Sequence, residues 1–113
     1  MERMLSPAEI SVITKIANML SDNRRAQLLK DMANAKAQVE SSQRTIFNIA
    51  GYKRPPDIGQ HSFGVEGRLF DRDGVQLNLD LYADQNDRLL ELELLRIGAG
   101  DVLAPKWETL ELY

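Results

Sequence analysis

At 113 residues, with 43% hydrophobic and 27% charged content and no cysteine, the chain has one domain's worth of length and an ordinary globular composition. That composition excludes disulfide staples, thiolate metal centres and cysteine nucleophiles together, and it argues against disorder. The net charge of −3 and pI near 5.1 disfavour a nucleic-acid binder. The opening MERMLSPAEI lacks the basic-then-apolar layout of a leader, and no apolar run approaches bilayer length, so the expectation is a cytoplasmic protein with no membrane partner.

The charge is unevenly placed. Residues 1–54 carry nine Lys/Arg and five Asp/Glu, net +4; residues 55–113 carry five and twelve, net −7. An acidic half suits a basic protein partner, because complementary potentials speed encounter, and it equally suits plain solubility.

In chain order, Ser6-Pro7-Ala8-Glu9 announces a helix: Ser6 caps, Pro7 fits the first turn and Glu9 completes a capping box. Ile10, Ile13, Ile16, Ala17 and Leu20 follow helical spacing, which predicts a helix over about residues 7–20. Ser21-Asp22-Asn23 breaks the pattern. A second helix is expected over about 22–38, striped by Leu28, Leu29, Met32, Ala35 and Val39, the pair forming an αα-hairpin. The β-branched and aromatic run Thr45–Ile49 predicts a strand over about 44–50. Tyr52-Lys53-Arg54-Pro55-Pro56-Asp57 reads as a connector, since its prolines lack ladder donors.

Three further strands are expected at about 62–70, 75–82 and 89–97. In the second of these Leu77, Leu79 and Leu81 alternate with Asn78, Asp80 and Tyr82; in the third Leu90, Leu92 and Leu94 alternate with Glu91, Glu93 and Leu95. Gly64 and Gly67 mark a bulge or a close backbone approach in the first. Asp71-Arg72-Asp73-Gly74 and Asp84-Gln85-Asn86-Asp87 are hairpin turns. The tail is expected to pack Trp107 on the core and end in a short edge strand through Leu110 and Leu112. The class is α+β: a helical hairpin on one face of an antiparallel meander of about four to five strands, the other face meeting water or a partner.

Tests for chemistry fail one by one. A single His61 makes no metal cluster, and a lone histidine in a Gly-rich loop is more often a turn or surface residue than a base. From Asp71 a calcium loop would need oxygens at Val75 and Tyr82; from Asp84 it would need them at Arg88, with Gly at Leu89. Glu91, Glu93 and an opposed Asp80 form carboxylate pairs of the glycosidase kind, but a flat sheet offers no sugar-sized cleft. The expectation is therefore a protein without catalytic residues, cofactor or metal. What remains is a polar, mostly acidic sheet face of Glu66, Arg68, Asn78, Asp80, Tyr82, Glu91 and Glu93, rimmed by Asp71, Asp73, Asp84 and Asp87. It is either a solvated surface or a docking face for a basic protein.

The run RLFDRDGVQLNLDLYADQNDRLLELELLRI, with its Asp-Gly hairpin and Leu-Glu-Leu strand, resembles the C-terminal half of small bacterial proteins built from two helices and a β-meander. LSPAEISVITKIANML is similar to their opening helix. Some proteins of this style are immunity proteins of contact-dependent inhibition or related polymorphic toxin systems. The resemblance implies tight binding to a cognate toxin domain, a nuclease being the expected type, and it transfers no binding residue. The alternative is a regulatory interaction module, homodimeric through the edge near Leu110–Leu112; a small-ligand site near His61 and Tyr52 is the third reading.

Overall fold

The computed structural model describes residues 1–56 and 59–113, so Asp57 of the expected connector lies outside the described residues. The chain runs β1 (Glu2–Arg3), α1 (Pro7–Ala17), α2 (Asp22–Ala33), β2 (Ala35–Ser41), β3 (Arg44–Ile49), β4 (His61–Phe70), β5 (Gln76–Ala83), β6 (Leu89–Arg96) and β7 (Lys106–Leu112). The class is α+β, helices followed by an antiparallel sheet, but the sheet has seven strands rather than four to five.

The capping box forms as its sequence requires: Glu9 N–H donates to Ser6 Oγ at 3.2 Å, and Ser6 N–H donates to Glu9 Oε1 at 2.8 Å. Arg3 then grips both oxygens of the buried Glu9 at 2.8 and 2.9 Å, which ties β1 to the start of α1. No helix among the described residues is long and apolar enough to cross a membrane.

The second helix stops at Ala33, not near residue 38, and after Asn34 the seven residues Ala35–Ser41 form β2. Ala35 and Val39 fit a helical stripe, but Ala35, Ala37 and Val39 also alternate with Lys36, Gln38 and Glu40. The sheet decides between the two periods. Asn34 closes the helix, its side chain donating to Lys30 O at 2.9 Å, and its carbonyl then accepts from Ala50 N–H. β2 pairs with β3 from Ala35↔Ile49 to Ser41↔Arg44, burying Ala37 against the core.

The strand order is β1-β2-β3-β6-β5-β4-β7. β4, β5 and β6 form the expected meander, but the connector carries the chain past two strand positions first, so β6 returns beside β3. Arg54 straps this crossing, donating to Phe47 O at 2.7 Å, Leu89 O at 3.0 Å and Asp84 at 2.8 Å. Phe47, Phe63, Val65, Leu69, Leu77, Leu79, Leu81, Leu92 and Leu94 form the inner face and share one core with Val12, Ile13, Ile16, Ala17 and Leu28 of the helices. Burying each Val, Leu, Ile or Phe side chain of this core contributes roughly 1.5–3 kcal/mol relative to exposure. Trp107, Leu110 and Leu112 lie partly buried against it.

Both expected roles of the β4 glycines are present. Gly64 has φ 86° at the register shift between Ser62 and Glu66, and a Cβ on Gly67 would stand 3.1 Å from Leu112 Cδ2 and Leu79 Cβ.

Candidate functional site

The two hairpin turns share one chemistry. Gly74 N–H donates to Asp71 O and Asp87 N–H to Asp84 O, each closing a turn whose last residue has positive φ, 87° at Gly74 and 61° at Asp87. The leading aspartates are consumed in holding these turns, which removes them from the acidic rim. Asp71 is fully buried and accepts from Arg72, Leu103 and Ala104 N–H at 2.8, 2.8 and 2.7 Å and from Arg96 at 2.8 Å. Asp84, also buried, accepts from Tyr52 Oη at 2.6 Å, Arg54 at 2.8 Å and the Asn86 and Arg88 N–H groups. Asp73 is paired with Arg96 at 2.6 Å, and Asp87 with Arg24 at 2.8 Å.

Burial alone would raise the Asp71 pKa. The three backbone donors and the Arg96 guanidinium outweigh it and bring the carboxyl from 3.8 down to about 2. A carboxylate depressed in the folded state stabilises the fold above its unfolded pKa and ceases to do so as pH falls through its folded pKa. Thermal melts should therefore show a Tm penalty for Asp71→Asn that is full at pH 5 and shrinks between pH 4 and 2. A penalty constant down to pH 2 would contradict this.

The other expected site residues do converge, on the sheet face turned away from the helices. Cross-strand pairing sets Glu66 opposite Asp80, Arg68 opposite Asn78, Asp80 opposite Glu93 and Tyr82 opposite Glu91. On the far side of β6, Glu93 faces Arg44 and Glu91 faces Ile46. Side chains directly opposite one another on one face are immediate neighbours, so Glu66, Asp80 and Glu93 form a row across three strands, with Glu91 two residues along β6 from Glu93. Arg68 is held by Glu111 of β7 at 3.1 Å, and Asp80 accepts from Ser62 Oγ at 2.7 Å. Glu66, Asp80, Glu91, Glu93 and Glu111 together outweigh Arg44 and Arg68.

Glu91 departs from an ordinary solvated glutamate. Its side chain is only 5% exposed, Arg44 Nε approaches Oε2 at 3.2 Å, and Oε1 is buried with no hydrogen-bond partner among the described residues. Buried charges are costly unless paired, so this is a local deficit of donors. Next to it, burial pushes the Tyr82 hydroxyl up to about 12, with the charges of Asp80, Glu93 and Glu91 opposing its ionisation further. Asp80→Asn or Glu93→Gln should bring Tyr82 back toward 10, read by ultraviolet titration of the phenol; an unmoved titration would show that the row exerts no field there.

Where Glu66, Gly67, Asn78, Asp80, Glu93, Leu95 and Tyr113 meet, the face dips into an open hollow of about 200 Å³. Tyr113 is placed there by reciprocal backbone hydrogen bonds with Glu66 at 2.9 Å. Leu95 shares strand parity with Glu91 and Glu93, a signal present in the sequence; Arg44 and Tyr113 carried none, because their positions come from long-range pairing. A larger hollow of about 370 Å³ lies at the opposite sheet edge, around Glu2, Met4, Lys36 and Asn48, and its lining mixes charges without concentrating one sign. Among the described residues no group of three acidic or histidine side chains is arranged to hold a metal ion. His61 begins β4 and lies 3.0 Å from Asp87, while Tyr52 leans on the same turn through Asp84 and beneath Arg88, 4.2 Å from its ring.

Comparison of the chain with protein-family models, curated proteins and solved structures found no match.

Proposed function

We propose that the chain is an immunity protein that binds and neutralises a cognate toxin domain of a contact-dependent growth inhibition or related polymorphic toxin system. The open face of the sheet is its docking surface, and it acts by covering the toxin rather than by chemistry. The observation that carries this reading is the carboxylate row of Glu66, Asp80 and Glu93, which lie side by side on three strands of the face turned away from the helices and make no ion pair among the described residues. Such a face complements a basic cleft, the kind a nuclease presents to its phosphate substrate. The resemblance of the hairpin and helix motifs to immunity-type proteins points the same way.

The test begins with the gene beside this one, inspected for a large protein with a variable C-terminal toxin domain. Co-expression with that domain should restore growth and yield a stable complex. Continued killing, or no complex, overturns the reading. The second reading, a self-associating regulatory module, draws on β7, a seven-residue strand that among the described residues pairs on its β4 side alone. An unpaired edge is a template for a second strand. Light scattering that shows a dimer, lost on replacing Leu110 by proline, would favour it.

A further inference from the structure

The open edge of β7 complements a second copy of itself. Against β4 the strand runs Gly67↔Leu112, Arg68↔Glu111 and then Phe70↔Lys106, five steps along β7 (111 to 106) against two along β4 (68 to 70). Thr109 sits in this bulge: its Oγ1 accepts from Phe70 N–H at 3.0 Å and donates to Lys106 O at 2.6 Å. The odd excess of residues reverses the strand's parity once. Lys106 and Glu111, which an unbroken strand would set on opposite faces, therefore both lie with Arg68 and Phe70 on the open face. Trp107 and Leu110 both turn to the core side. Glu66 and Tyr113 exchange both backbone hydrogen bonds, so antiparallel alternation aims the main-chain groups of Glu111 at β4 and those of Leu110 and Leu112 at the open edge.

We infer that two copies of the chain pair through β7, antiparallel about a two-fold axis between Glu108 and Thr109. In this register each Lys106 stands opposite Glu111 of the second copy, and each Trp107 opposite its Leu110. The faces match: the ion pairs fall on the open face, the apolar pairs on the core side, and the two-fold makes two of each. Lys106 is the lone cation of β7, and Glu111 already holds Arg68 at 3.1 Å on its other side. An incoming Lys106 thus completes a cation–anion–cation line across three strands. Other registers do worse. An axis on Glu111 sets that carboxylate against itself, and one on Trp107 overlaps three residues of the strand instead of six. The inference rests on the self-association of the second reading and not on the docking role, since the carboxylate rows of both copies stay uncovered.

Sedimentation equilibrium of the full chain tests the pairing. One strand pair is a small interface, so a dimer with a dissociation constant on the order of 10–100 µM is expected. Lys106→Glu and Glu111→Lys should each weaken it about 10-fold or more, because symmetry sets like charges opposite twice. Both side chains are exposed, so the melting curves of the two variants, taken at dilution, should stay near the parent's. An equimolar mixture of the two should regain the parent affinity, each copy supplying the charge the other lacks, whereas Lys106→Glu mixed with Glu108→Lys should not. A chain monomeric up to about 1 mM, reversals without effect, a mixture no tighter than its components, or restoration by Glu108→Lys instead each overturn the proposal. If the chain dimerises as described but protects against no toxin, the immunity reading fails and the edge pairing stands. If protection is complete and the chain stays monomeric, the pairing fails and the immunity reading stands.

Discussion

Asp31→Ala should cost the protein about 3–5 kcal/mol of unfolding free energy, the penalty for breaking a buried ion pair from one side. Asp31 is 1% exposed near the end of α2 and takes Arg88 through Nε at 3.0 Å to both oxygens and through Nη2 at 2.8 Å. It also accepts the Leu89 N–H at 3.1 Å and the Gln27 amide at 2.9 Å. This carboxylate is therefore the polar joint between the second helix and the first residue of β6. Alanine leaves the Leu89 donor buried without a partner and strips Arg88 of its paired counter-charge, leaving its guanidinium stacked on Tyr52. Against a typical total of about 5–15 kcal/mol for a domain, the loss is a large fraction. Denaturant titration with an unchanged slope measures it. Asp31→Asn, which retains an acceptor for Leu89, should cost roughly half as much, and the Asp31→Ala/Arg88→Ala pair should show about 1.5 kcal/mol or more of coupling. A cost below about 1 kcal/mol would mean the helix is held by its apolar stripe alone.

Reversing charge on the open face should have the largest effect on binding. If the proposed toxin complex forms through this face, Glu66→Lys and Glu93→Lys together are expected to weaken it about 100-fold, roughly tenfold each at low salt. Much of the loss should appear in the association rate, and the remaining affinity should depend less on ionic strength. Glu91 is a poorer choice for this experiment despite its place in the row, because it is buried and reversal would injure the fold before it reported on docking. Affinity that survives both substitutions would move the interface to the helices or loops.

The strands were legible because period-two alternation is a local property: Leu77, Leu79 and Leu81 against Asn78, Asp80 and Tyr82 fixes both the element and its two faces. The capping box and the Asp-Gly hairpin were equally local. β2 was misread because Ala35 and Val39 satisfy both periods, and the choice was made by β3, a partner that periodicity cannot see. The same limit applied to the acids. Asp71 and Asp80 look alike in a string of letters, yet Asp71 is spent on backbone donors more than thirty residues away at Leu103 and Ala104. The arginines that consume the turn aspartates, Arg96, Arg54 and Arg24, are likewise distant in sequence. Parity therefore identified the row of Glu66, Asp80, Glu91 and Glu93, while burial decided which acidic neighbours remained available to a partner.

The most direct measurement is hydroxyl-radical footprinting of the chain alone and in complex with the toxin domain that the proposed function requires. Leu95, Tyr82 and Tyr113 on the open face should lose reactivity in the complex, while Met1, Met4 and Met19, exposed at the N-terminus and beyond the first helix, keep theirs. Protection of the methionines with Leu95 and Tyr113 still reactive would contradict the account and turn the molecule's working surface around.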